Sequence, residues 1–292
     1  MRIFAQAAHF LVHPGFRADP LAALSRLPGL MLRVLRRRPY AVRLSASGEQ
    51  IGLQPNLRYT NAGLYLLRDL MEPELRGLER LVTPGGVFVD IGANIGAYTL
   101  RAASLVGPAG KVIAVEPGQA ALAALRPNIQ RNGFEDRVTV APVAMGDTEG
   151  EAKLYHVGAG YDPQAFSLLA DATAQTYETV RLTTLDHLAA EQKLTALDCV
   201  KIDAEGVELA VLKGGERTLS AFAPLVVMEM NSAILSRRGD AADGAWGWLK
   251  SRNYTFWRMT GGRFAPIAAP PADFCNIIAA VPGSAGEARL RS

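Results

Sequence analysis

The stretch Val87-Phe88-Val89-Asp90-Ile91-Gly92-Ala93-Asn94-Ile95-Gly96-Ala97-Tyr98 constrains this chain more than any other. A short apolar run meets an acid, and a turn with two glycines follows. The pattern then becomes helical through Tyr98-Thr99-Leu100-Arg101-Ala102-Ala103. Buried strand, tight turn and helix in that order form the opening unit of a doubly wound α/β domain. Gly92 permits the sharp turn at the strand end, and Gly96 permits close approach to the helix start. The unpaired N–H groups of that first helical turn supply a polar rim.

The spacing is Asp-x-Gly-x-x-x-Gly rather than Gly-x-Gly-x-x-Gly. A dinucleotide's pyrophosphate favours glycines around a helix N-terminus and no fixed negative charge beside them. Asp90 places a carboxylate there instead. A carboxylate suits a ligand with an ammonium or sulfonium, or with hydroxyl and amino donors, and S-adenosylmethionine has all of these. Lys111-Val112-Ile113-Ala114-Val115-Glu116-Pro117 reads as the second strand and ends in an acid. Glu116 follows Gly92 at about the separation where such folds place the acid that accepts from ribose hydroxyls. Alone, Asp90 reads equally as a turn cap and Glu116 as a surface acid. Flanking one helix, they read as a cofactor site whose expected contacts are Asp90, Gly92, Ala93, Asn94, Gly96, Tyr98, Glu116 and Pro117.

The rest of the chain continues the pattern. Arg137 to Pro142 suits a third strand, and in this kind of fold the following turn lines an adenine, which adds Ala144. Leu197 to Asp203 suits a fourth strand and Pro224 to Asn231 a fifth. Tyr254 to Met259 and Phe274 to Val281 suit two last strands, paired antiparallel at one edge. The expectation is a doubly wound, mostly parallel seven-stranded sheet with an N-terminal helical extension over residues 1–60, a catalytic domain over 61–282 and a tail over 283–292. Four strands end in acids: Asp90, Glu116, Asp203-x-Glu205 and Glu229. Ligands in such sheets lie outside the strands' carboxyl ends. Asp203, Glu205 and Glu229 are therefore the catalytic candidates, as acceptors of a hydroxyl proton or holders of a hydroxylated substrate. A magnesium site on Asp203 and Glu205 is the rival use, and helix capping is the plain one. Val157 to Tyr177 is long for a connection between two ribbon strands and is a candidate acceptor-binding loop.

Asp90-Ile91-Gly92-Ala93-Asn94-Ile95-Gly96, Glu116-Pro117, Leu185-Asp186 and above all Lys201-Ile202-Asp203-Ala204-Glu205-Gly206-Val207-Glu208 resemble the FkbM-like branch of class I S-adenosylmethionine-dependent methyltransferases. The resemblance covers about residues 70 to 281. It implies O-methylation of a sugar or glycan hydroxyl, with a polyketide or other small secondary metabolite as the alternative acceptor. It also implies an acid near the cofactor at Glu72-Pro73-Glu74, where a helix N-terminal acid serves the dipole equally well. The amino-methylating Asn/Asp-Pro-Pro-Tyr motif is absent, which favours oxygen. A nicotinamide dehydrogenase fits the loop spacing poorly, and a non-catalytic binding domain would have no use for four rim acids.

Charge is uneven. Residues 1–50 hold eight arginines against Asp19 and Glu49, while the whole chain carries only +3. The catalytic part is thus slightly acidic, which argues against a nucleic-acid partner. Leu27 to Arg38 suits a short basic amphipathic helix. The reading adopted is a cap whose leucines pack on the domain and whose arginines face water; contact with an anionic membrane face is the alternative. No signal peptide is evident at the start, and Cys199 and Cys275 read as buried thiols of a reducing compartment. The expected location is cytoplasmic, with peripheral membrane contact as its variant.

Overall fold

The computed structural model describes residues 10–11, 13–156, 166–168, 176–204, 206–230, 244–273 and 275–291. Its strands, in chain order, are β1 (Tyr40–Arg43), β2 (Gln50–Leu53), β3 (Val87–Ile91), β4 (Lys111–Val115), β5 (Val138–Ala141), β6 (Ala144–Met145), β7 (Gly150–His156), β8 (Phe166–Ser167), β9 (Tyr177–Thr183), β10 (Cys199–Ile202), β11 (Leu225–Met230), β12 (Thr255–Thr260), β13 (Arg263–Ile267) and β14 (Cys275–Ala280). The main sheet has the order β13-β12-β14-β11-β10-β3-β4-β5. Strands β5, β4, β3, β10 and β11 run parallel. The chain reverses its progress across the sheet between β3 and β10, which is where such folds open a crevice. Helices cover both faces, so β3, β4 and β10 are buried on both sides and their sequences are continuous apolar runs.

The doubly wound class is the one expected, with one strand more. β13 joins β12 through Gly261 and Gly262, at φ 57° and 78°. Two positive-φ residues make the tight turn whose twist matches a hairpin. The apolar pattern hides this strand because Pro266 interrupts it, which only an edge strand tolerates. The antiparallel edge therefore has three strands, with β14 inserted between β11 and β12. A second sheet, β6-β9-β7-β8, contains the expected ribbon of β7 and β9. Most of the candidate acceptor loop, residues 157–165 and 169–175, lies outside the described residues.

The amino-terminal segment packs differently from the cap read in the sequence. The helix Pro20–Arg36 docks through Ala23 and Leu30, which are buried. Gly29 comes so close that a Cβ there would lie 2.5 Å from the Tyr65 hydroxyl on the helix Tyr59–Leu67. Leu21, Leu24 and Leu35 instead face solvent. The helix carries two apolar stripes, and only the one with small residues fits closely against its neighbour.

The β1–β2 hairpin is tied to the helices beyond it. Asn128 accepts from Gly52 N and donates to Ile95 O, bridging the hairpin to the glycine loop. Arg101 on the helix Ala97–Val106 pairs with Glu49 at 3.1 Å, both nearly fully buried. At the other end, residues expected as a tail form the helix Ala285–Arg291. Leu290 is buried, Arg80 donates to Leu290 O, and Arg289 donates to Leu81 O, so paired backbone and apolar contact hold this end down.

Arg101 also lies 3.6 Å from the exposed Glu79, so removing Glu49 leaves the buried guanidinium only a solvent-screened partner. Glu49→Ala is expected to lower unfolding stability by about 3 kcal/mol in urea titration. A loss under about 1 kcal/mol, the range of an exposed pair, would show that Glu79 and water compensate Arg101.

Candidate active site at the carboxyl edge of the sheet

The glycine loop after β3 is shaped by contacts that leave no room for side chains. Gly92 sits at φ +79°, and a Cβ on it would lie 2.0 Å from the Asp203 carbonyl oxygen. The backbone N–H groups of Gly92 and Ala93 both donate to Val115 O at 3.0 Å, which pins the loop to the end of β4. Asn94 follows at φ 49° and Gly96 at φ 101°.

Glu116 closes the other side. Its carboxylate accepts from Asn94 N and from Gly118 N, each at 2.8 Å. It thereby bridges the glycine loop and the start of the helix Gln119–Arg131. Burial pushes Glu116 up to about 7, against the two amides and Lys201, which pull the other way.

Among the described residues, Lys201 is the one cation in contact with both Asp90 and Asp203. Register sets it beside Asp90 on adjacent parallel strands. Its ammonium donates to Asp203 Oδ2 at 3.0 Å and to Gly92 O at 3.2 Å, and lies 3.8 Å from Asp90 Oδ1. It also stands over the Tyr98 ring, 4.9 Å from the centroid. Burial alone would lower its pKa, but Asp203, Asp90 and Glu72 outweigh burial and raise it. Asp90 is wholly buried, and its Oδ2 accepts from Thr99 Oγ1 at 2.6 Å. Its Oδ1 is buried with no hydrogen-bond donor, leaving a buried acceptor open beside the cleft.

A second acidic layer lies behind. Asn276 donates to Glu72 at 3.0 Å and to Glu74 at 3.2 Å, and is 3.5 Å from the Tyr98 hydroxyl. Glu229 is the cross-strand partner of Asn276, so both project from one face. Burial, with Glu74 and Asp203, pushes Glu72 up to about 8 despite Lys201. Burial also raises Glu74 and Asp90.

The cleft itself is an open cavity of about 80 Å³, walled by Gly92, Asn94, Glu116, Pro117, Ala144 and Asp203, with Val143, Leu154 and Leu168 as apolar sides. Of the residues named from sequence, these first six face one space. Asp90 and Tyr98 support it from below, and Ala93 and Gly96 shape the loop backbone. Glu229 sits farther along the rim, while Glu205 lies outside the described residues. Among the described residues no group of three or more His, Cys, Asp or Glu side chains is placed to hold a metal ion. Sequence reasoning missed Asn276, whereas Lys201 shares the strand parity of Asp203 and is placed by the sequence to neutralise part of its charge. A single amide in the apolar run Cys275-Asn276-Ile277-Ile278 is the signal that pointed to Asn276.

The Methyltransferase FkbM domain profile matches residues 90–256, more than half of the chain. The chain belongs to the FkbM methyltransferase family. The matched span begins at Asp90 and contains Glu116, Lys201, Asp203 and Glu229, so this FkbM domain holds the strand-end acids of the cleft. The 2-O-methyltransferase NoeI of Sinorhizobium fredii is 26% identical over 186 residues, 59% of this chain and 75% of that protein. A ribosomal protein L11 methyltransferase of Chloroflexus aurantiacus is 34% identical over 87 residues, 30% of this chain and 25% of that one. The solved FkbM methyltransferase of Methylobacillus flagellatus superposes with a TM-score of 0.45 at 16% identity, over 90% of this chain and 62% of that chain. The chain thus spans a quarter of the L11 methyltransferase and under two thirds of the Methylobacillus chain.

Glu72, Glu74, Asp90 and Glu116 all have raised values in the folded protein. An acid whose folded value is raised binds more protons folded than unfolded, so its contribution is complete below the unfolded value and lost as pH climbs through the folded one. The unliganded protein is expected to lose melting temperature steadily from about pH 4.5 to about pH 8, the window set by Glu72. Glu72→Gln should flatten the upper part of that decline. A melting temperature that rises across the window would contradict the assignment.

Proposed function

We propose that this chain is an S-adenosylmethionine-dependent O-methyltransferase acting on a hydroxyl of a sugar or glycan. The observation that carries the cofactor reading is the surplus of buried acid. Asp90, Asp203 and Glu72 gather around the Lys201 ammonium, and one Asp90 oxygen has no donor among the described residues. Such a site favours a cationic ligand over a pyrophosphate. S-adenosylmethionine supplies a methyl group already made electrophilic by its sulfonium charge.

The rest of the work falls to the chain's own residues. Glu116, fixed by two backbone amides, keeps lone pairs for a ribose diol. Pro117, Val143, Ala144, Leu154 and Leu168 offer apolar walls to a planar base. Asp90 and Glu72 answer positive charge from beneath. Asp203 borders the same cleft, with Oδ2 held by Lys201 and Oδ1 left to accept from an acceptor hydroxyl. Alignment of acceptor and methyl donor lowers the barrier, and a carboxylate within hydrogen-bond reach takes the hydroxyl proton. We assign that role to Asp203, with Glu205 and Glu229 holding the acceptor's other hydroxyls.

Oxygen as the accepting atom rests on two supports: the missing Asn/Asp-Pro-Pro-Tyr motif and the 2-O-methyltransferase name of the NoeI relative. A polyhydroxylated acceptor suits a rim of carboxylates. The test uses methyl-labelled S-adenosylmethionine with a panel of oligosaccharides, sugar nucleotides, hydroxylated polyketides and primary amines. Label is expected in a base-stable methyl ether on a sugar. Asp203→Asn should lower kcat by about 10²-fold, more than it weakens S-adenosylmethionine binding. Label on nitrogen, or on polyketides alone, would overturn the acceptor assignment.

A further inference from the structure

The outer face of the helix Pro20–Arg36 is not covered by the described residues. Leu21, Leu24, Leu27, Met31, Leu32 and Leu35 are 79%, 47%, 39%, 46%, 46% and 75% exposed. Their spacing of three and four residues puts them in one stripe along the helix. The adjoining stripe, Ala23 and Leu30, is the one that packs on the domain. An apolar face this continuous is unusual on a water-exposed surface and marks an interaction site.

Charge identifies what covers it. The helix contains no acid, and its last turn holds Arg33 and Arg36. Arg37 and Arg38 follow at once, and all four guanidinium groups are exposed. None of the four has an ion-pair partner among the described residues. On the helical projection Arg36 flanks the leucine stripe, with Arg37 and Arg38 just beyond the helix end, whereas Arg33 lies on the far side and stacks over the Tyr40 ring, 5.3 Å from its centroid. A rigid helix with leucines outward and unpaired arginines alongside is the arrangement that lies in the headgroup layer of a bilayer, with leucines among acyl chains and arginines at anionic phosphates. At 17 residues the helix is about 25 Å long, and no helix among the described residues is long and apolar enough to cross a membrane. The geometry therefore suits a helix lying flat on the surface.

We infer that the Pro20–Arg36 helix docks this protein on an anionic membrane surface, through Leu21, Leu24 and Leu35 together with Arg36, Arg37 and Arg38. Docking of this kind combines two contributions. Apolar insertion is insensitive to salt, whereas attraction to anionic headgroups weakens as the Debye length shortens.

The experiment is flotation of the full chain with vesicles of phosphatidylcholine and phosphatidylglycerol, or of phosphatidylcholine alone. The wild type is expected to float with the mixed vesicles and to be weakened, without complete release, by high salt. Leu24→Glu with Leu35→Glu should lower vesicle affinity at least about tenfold. Arg36→Glu with Arg37→Glu should lower it about tenfold or more on mixed vesicles and leave neutral vesicles unaffected. Both double variants alter solvent-facing side chains, so melting temperature reports that they fold as the wild type does. Failure of the folded wild type to float, or equal flotation of wild type and variants, would overturn the inference. A dimer in velocity sedimentation that the leucine variants dissociate would also overturn it, by assigning the stripe to a second copy of the chain.

Discussion

The site depends on one buried ammonium. Lys201 stands where β3 and β10 end side by side, and both strands finish in acids. Without a cation between them, Asp90 and Asp203 would face each other in a region from which water is largely excluded, where like charges repel far more than in solution. Lys201 contacts both and also holds the Gly92 carbonyl, so it fixes the glycine loop as well as the charge. It does not neutralise the whole cluster. Glu72, Glu74 and Glu116 remain as acids raised by burial. The unliganded protein thus carries a standing electrostatic cost that a positively charged ligand relieves.

Rigidity around the cleft comes from backbone acceptors more than from side-chain packing. Val115 O takes two amides from the glycine loop, and Glu116 ties that loop to the next helix. The Leu185-Asp186 pair does similar work at a distance. Asp186 accepts from Thr218 N and Thr218 Oγ1, clamping the helices Leu185–Glu191 and Glu216–Phe222 together. Gly214 then passes so near Gly146 that a Cβ would lie 2.0 Å from its carbonyl oxygen. Close approach of this kind holds the turn containing Ala144 against the core. Residues far from the chemistry therefore set the width of the cleft.

Much of this was legible in the sequence because it is local. The β3 run, the Asp-x-Gly-x-x-x-Gly turn and the acid after β4 each depend on a few neighbouring residues, and the central sheet follows from them. What stayed hidden depends on contacts between distant segments. Asn276 meets Glu72 and Glu74 only once the antiparallel edge brings β14 beside β11. The direction of the leucines on Pro20–Arg36 was misread because a helix with two apolar stripes has the same composition as one with a single buried stripe. The segment after Val281 looked like a tail because one leucine and two arginines do not announce a docking contact. The β13 strand was masked by its own proline.

The central claim is that the strand-end acids form a site for a cationic nucleoside ligand. Calorimetric titration with S-adenosylmethionine and, separately, with NAD, on the wild type and on Asp90→Ala and Glu116→Ala, tests it most directly. The account predicts that S-adenosylmethionine binds, that each substitution weakens it about tenfold or more, and that NAD does not bind. Selective binding of NAD, or S-adenosylmethionine binding indifferent to both substitutions, would contradict it.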